Sequence, residues 1–136
     1  MKKQEKKTNA FDQINHKIYE QSKANATLNE LKLKKAHEQI QKKNFKEAEK
    51  IYRELISIGT NNHIVYGNLA AICGLQGNNH EMIKLLEQAI KINPNYSDAH
   101  YNLGIVNKNE GNLSAAISSY QKAIQLNPNY SEAYYN

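Results

Sequence analysis

Residues 93–102 read NPNYSDAHYN and residues 127–136 read NPNYSEAYYN. The displacement is 34 residues, and it extends upstream, where Ala89 and Ile90 recur as Ala123 and Ile124. A fixed period of this length marks a chain of stacked units, each of which buries its apolar face only against its neighbours.

Counting back by the same period gives frames that begin at Ser97, His63 and Asn29. In the Ser97 frame, His100, Leu103, Gly104 and Asn107 fall at i, i+3, i+4 and i+7, which predicts a first helix over about 98–110. Gly111 and Asn112 break it, the glycine because it enters the left-handed region freely and the asparagine because it caps the next helix. A second helix over about 113–127 carries Ala116, Tyr120 and Ala123 on one stripe and is stopped by Pro128. Gly104 is expected opposite Ala116, where the two helices approach closest.

The His63 frame repeats the plan with Tyr66, Leu69, Ala70 and Cys73, a Gly77-Asn78 turn, Leu86 and Ala89, and Pro94. Its Met82 stands where the other frames have alanine, and the space for it is expected either from the small Ala70 and Cys73 opposite or from a slight opening of the helix pair. The Asn29 frame is degenerate. Ala36, Asn44, Phe45, Ala48, Tyr52 and Leu55 keep the pattern, but Lys43 and Thr60 occupy the glycine and proline places. Thr27 and Glu30 have capping-box spacing, which predicts a helix start there.

The chain therefore divides into a basic tail at 1–28, a degenerate unit at 29–62, units at 63–96 and 97–130, and the beginning of a fourth at 131–136. Within the tail, Met1 to Asn9 is lysine-rich and reads as disordered. Phe11, Ile14 and Ile18 then form a short amphipathic helix that can pack on the first unit.

These residues resemble the tetratricopeptide repeat family, whose pattern is an aromatic, Leu-Gly, a tyrosine, a turn glycine, Ala, an aromatic, Ala and a closing Pro. The Ser97 frame departs only at His100 and Asn107. The resemblance implies an all-α fold, helix-turn-helix units stacked in a right-handed α-solenoid, with a concave surface that binds peptides and is lined by the first helix of each pair. Ile64, Asn68, Ala71 and Leu75 of the second unit would face inward, as would Asp98, Tyr101, Asn102, Ile105 and Lys108 of the third.

Asn68, Asn102 and Asn136 recur at one place in successive units. A carboxamide both donates and accepts, so it pairs with a peptide bond as another peptide bond would. A similar asparagine ladder precedes the catalytic domain of O-linked N-acetylglucosamine transferases. The family's clamp for a chaperone's C-terminal carboxylate is not expected here: its five places hold Leu33, His37, Asn68, Asp98 and Asn102, and only Asn68 matches. The expected partner is thus a protein or peptide segment. The alternative is the substrate-recruiting N-terminal part of a larger transferase, glycosyltransferase-like, sulfotransferase or methyltransferase.

Composition narrows the classes further. The net charge of +5 resides in the first third, where residues 1–50 hold 13 Lys against 7 Asp and Glu. That tail lacks the interleaved aromatics or reading module of a nucleic-acid binder, so nucleic acid is not an expected partner. No apolar run is long enough to cross a membrane. The five histidines never take a metal-ligand spacing, no base and carboxylate accompany a Ser or Thr, and no phosphate-cradling loop occurs, so we expect no metal, no cofactor and no catalytic residue. The single Cys73 excludes an intrachain disulfide and fits the cytoplasm. The fourth unit stops at its sixth residue without a capping helix, which suggests a longer parent protein and leaves a surface open to self-association.

Overall fold

The computed structural model describes residues 2–129, with side chains from residue 10 onward. Six helices follow one another: α1 (Lys2–Gln41), α2 (Phe45–Ser57), α3 (His63–Leu75), α4 (Asn79–Ile92), α5 (Ser97–Asn109) and α6 (Leu113–Leu126). Among the described residues there is no strand. Each odd helix pairs with the next even one, and α2 against α3 and α4 against α5 join the pairs into a helical repeat solenoid.

Local chemistry sets the turns within the pairs. Gly77 and Gly111 take φ of 75° and 79°, and the following Asn78 and Asn112 donate their backbone N–H to Cys73 and Asn107 carbonyls at 2.9 and 2.8 Å. This is the six-to-one bond that closes a helix on a left-handed residue. In the first pair Lys43 occupies that place with φ 58°, a conformation in which its Cβ crowds the backbone. Where the second pair ends on Pro94, α2 ends on Gly59 at φ 81°, with Thr60 N–H donated to the Leu55 carbonyl at 3.2 Å. The missing proline is thus replaced by a second glycine closure.

The core follows the stripes. Among the described residues Tyr52, Leu55, Val65, Leu69, Ile72, Cys73, Leu86 and Val106 are the large fully buried side chains, and no buried residue is polar or charged. Glycine contacts differ from expectation. A Cβ on Gly104 would meet the ring edge of Tyr120 closer than any ordinary contact, so the nearest neighbour there is that aromatic and not the expected Ala116. Met82 also draws space from Gly74, where an added Cβ would lie 2.8 Å from the sulfur.

The N-terminal region also departs from the sequence reading. Instead of a disordered run, a short helix and a new start at Thr27, one helix runs unbroken from Lys2 to Gln41. No glycine or proline interrupts residues 10–41, and the Thr27 hydroxyl donates to the Lys23 carbonyl at 3.1 Å, one turn back inside the helix, instead of capping. Because nothing turns the chain back, Phe11, Ile14 and Ile18 stay exposed and do not pack on the first unit.

Candidate functional site

The inner sides of α1, α3 and α5 enclose two concavities, one against each half of α3. The first, about 490 Å³, has walls from His37 and Gln41 of α1, His63, Ile64 and Asn68 of α3, and Tyr96 and Asp98 at the start of α5. The second, about 300 Å³, lies between Ala71, Gly74 and Leu75 of α3 and Asn102 and Ile105 of α5, with Met82 at its floor. A larger hollow of about 710 Å³ runs beside Ile18 and Ser22, but α1 alone lines it and no second wall faces a ligand.

The first concavity is organised by hydrogen bonds. Asn68 Nδ2 donates to Tyr52 Oη at 3.1 Å and lies 3.2 Å from His37 Nε2. An amide nitrogen cannot accept, so that ring nitrogen must. Asn93 Nδ2 stands in the same relation to His63 Nε2 at 3.1 Å. The His63 and Tyr96 rings meet edge to face with centroids 4.8 Å apart. Gly67 makes room for Tyr96, since a Cβ there would lie 2.7 Å from its ring.

Burial raises the Tyr52 phenol above its ordinary range, partly offset by the Asn68 bond. Burial also raises Tyr96, and the Asp98 carboxylate adds to the shift. The second concavity is simpler. Asn102 is half-buried there, and among the described residues nothing bonds its amide.

Of the residues expected to face inward, Ile64, Asn68 and Asp98 line the first concavity and Ala71, Leu75, Asn102 and Ile105 the second. Tyr101 lines neither of these two concavities and packs on Tyr120, with ring centroids 5.8 Å apart. Lys108 is exposed in the last turn of α5. Asn136 lies outside the described residues. The sequence reading missed His63, Tyr96 and Met82; Gly67 and Gly74, glycines inside a helix, were the signal, because each makes way for one of these large side chains.

Away from the groove, Arg53 of α2 ties that helix to α4. It reaches Glu49 of α2 at 2.9 Å and Glu81 of α4 at 2.7 Å, while Gln76 beyond α3 donates to Glu49 at 2.8 Å. Among the described residues no group of His, Cys, Asp and Glu could hold a metal ion, and no helix is long and apolar enough to cross a membrane. Cys73 is buried, and burial pushes its thiol up, away from the reactive thiolate.

Family profiles for the tetratricopeptide repeat match residues 30–61 and 97–130, and one for the TPR repeat matches 72–111. Among solved structures, the MamA protein is similar at 27% identity, covering 82% of this chain and 61% of that one, with a TM-score of 0.74. A second MamA structure is covered to 62%, so the chain spans about six-tenths of their length. The Thermobaculum terrenum O-GlcNAc transferase is 28% identical over 79% of this chain and 21% of that one, with a TM-score of 0.74. The first TPR of Spaghetti, bound to an HSP90 peptide, shares the fold at 19% identity, covering 79% of this chain and 85% of that one, with a TM-score of 0.73. No curated protein matches the chain.

Proposed function

The chain belongs to the tetratricopeptide repeat family and is a protein-interaction module, and we propose that it binds an extended peptide segment of a partner along the inner face of α1, α3 and α5. The observation that carries this reading is the placement of Asn68 and Asn102, one repeat apart, in successive concavities whose remaining walls mix apolar and polar side chains, with Asp98 the one formally charged residue among them. Packed helices lie roughly 8 to 10 Å apart and an extended peptide advances about 3.3 Å per residue. Two carboxamides on alternate helices therefore meet the ligand backbone about every third residue. Ile64, Leu75 and Ile105 then take side chains by burial, with little demand on their identity. The setting that suits the module is the cytoplasm, where Cys73 stays a thiol.

The test is a peptide-array screen for binders, followed by titration of the wild type and of N68A/N102A with helicity measured in parallel. The double variant should bind more weakly by about 1 to 3 kcal/mol, the range for two hydrogen bonds lost. Equal affinity in the two proteins would refute the role of the asparagines.

A further inference from the structure

We propose that a second copy of this chain covers the exposed face of α1, the two helices lying antiparallel so that Phe11, Ile14 and Ile18 of each copy enter the hollow beside Ser22 and Ala26 of the other. None of these residues lines either concavity of the groove.

The first half of α1 carries an apolar stripe with no neighbour. Phe11, Ile14 and Ile18 fall at i, i+3 and i+7 on one side of the helix, yet they are 65, 56 and 62% exposed. The same side continues through Ser22, Asn25 and Asn29 to Leu33, Ala36 and Ile40, where α1 packs into the core. One face is thus covered along its last turns and bare along its first. A helix draws most of its stability from packing an apolar face, so a second copy on the bare length extends an interface that α2 already begins.

The hollow gives that interface its shape. It measures about 710 Å³ and runs from Lys17 to Asn29 on α1 alone, so a facing helix supplies its second wall. A two-fold axis beside Glu20 pairs Phe11 with Asn29, Ile14 with Ala26 and Ile18 with Ser22, which sets each bulky apolar side chain against a shorter one, twice over. Glu20 itself lies on the far side of the helix from Ile18 and is exposed, so the two carboxylates do not meet.

Charge does not oppose the pairing. From Ala10 to Leu31, Lys17 and Lys23 stand among Asp12, Glu20 and Glu30, a nearly balanced set. A parallel pair would drive its second helix, and the body it carries, into α2 beside Leu33 and Ala36; the antiparallel pair sends the two bodies to opposite ends. The strip from Phe11 to Asn29 is roughly 28 Å long, and two such strips bury on the order of 1,000 Å² in total, close to the lower bound for a specific interface. The dimer is therefore concentration-dependent.

The experiment is sedimentation velocity on the full chain between about 5 and 500 µM, a range that spans weak pairs of this size. The wild type should move from monomer towards dimer. Ile14→Glu, at an exposed position outside the core, should weaken the association at least about tenfold, because pairing would bury a carboxylate. Orientation is read by mixing Ile14→Glu with Ala26→Lys: the antiparallel pair brings the two new charges together, so the mixture should associate more tightly than either protein alone. A monomer at every concentration, an association that Ile14→Glu leaves unchanged, or a mixture no tighter than its components would overturn the proposal. So would a chain that stays monomeric and instead binds vesicles of phosphatidylcholine and phosphatidylserine through α1. The wild-type series stands without either variant.

Discussion

The carboxamide of Asn68 donates to the hydroxyl of Tyr52 at 3.1 Å, so a side chain that faces the groove is held from behind by one that is fully buried. One repeat further on, the places of Tyr52 and His37 hold Leu86 and Ala71, and Asn102 has no such support. The two asparagines are equivalent in position and different in preorganisation. A rotamer fixed before binding costs less to immobilise on binding.

We predict that Tyr52→Phe, which changes no groove residue, destabilises the fold by about 1 kcal/mol and also weakens peptide binding. Asn102→Ala should weaken binding with the urea midpoint unchanged. Parallel denaturation and titration check both, and a Tyr52→Phe protein with wild-type affinity would show that the Asn68 support has no functional consequence.

The ring of Tyr120 fills the space a side chain at Gly104 would need. Gly104→Ala should cost about 1 to 3 kcal/mol by overpacking. Adding Tyr120→Leu should recover much of it, because the preceding repeat packs Ala70 and Leu86 at the same two places with neither exposed. A double-mutant cycle with no coupling would contradict the contact.

Tyr120 Oη is buried and finds no hydrogen-bond partner among the described residues. Removing it relieves a desolvated hydroxyl, so Tyr120→Phe should leave stability unchanged or raise it by about 1 kcal/mol. A lower thermal midpoint would show that the hydroxyl is satisfied.

Lys43 closes α1 with φ 58°, where the equivalent places hold Gly77 and Gly111. Lys43→Gly should therefore stabilise by about 0.5 to 1 kcal/mol, the cost of a side chain in the left-handed region less the entropy glycine loses on folding. The urea midpoint gives the sign directly.

Glu49 is held below the ordinary carboxyl value of 4.5, first by Gln76 and then by Arg53, and Glu81 is held below it by Arg53. Groups with lowered folded values contribute stability that is full above about pH 4.5 and is lost as pH falls through their folded values. The unfolding midpoint should thus fall on acidification below that point, and Arg53→Met should flatten the slope. Because the Arg53 side chain is 44% exposed, its loss at neutral pH should cost only about 0.5 to 1 kcal/mol.

Much of this fold was legible because one repeat period fixes many positions at once. The turns at Asn44, Asn78 and Asn112 and the buried Ala48, Tyr52, Leu69, Cys73, Leu86 and Ala116 follow from the 34-residue phase alone. What periodicity cannot give is which rotamer enters a gap. It placed Gly104 at a close approach but chose Ala116 over Tyr120, and it did not show that Gly67 and Gly74 make way for Tyr96 and Met82. It marked seven of the residues that line the two concavities, yet gave no sign that Tyr101 packs on Tyr120. The Thr27 capping signature failed for a different reason: a cap pattern starts a helix only where the preceding residues stop being helical, and no residue from Ala10 to Ala26 breaks one.

The central claim, that a peptide lies along α1, α3 and α5, is tested most directly by mapping amide shifts of the ¹⁵N-labelled chain on saturation with the tightest array binder. The account predicts shifts at His37, Asn68, Ala71, Asn102 and Ile105, with α2, α4 and α6 little changed on their outer surfaces. Shifts concentrated on those outer surfaces, or on the exposed part of α1 around Phe11 and Ile18, would contradict it.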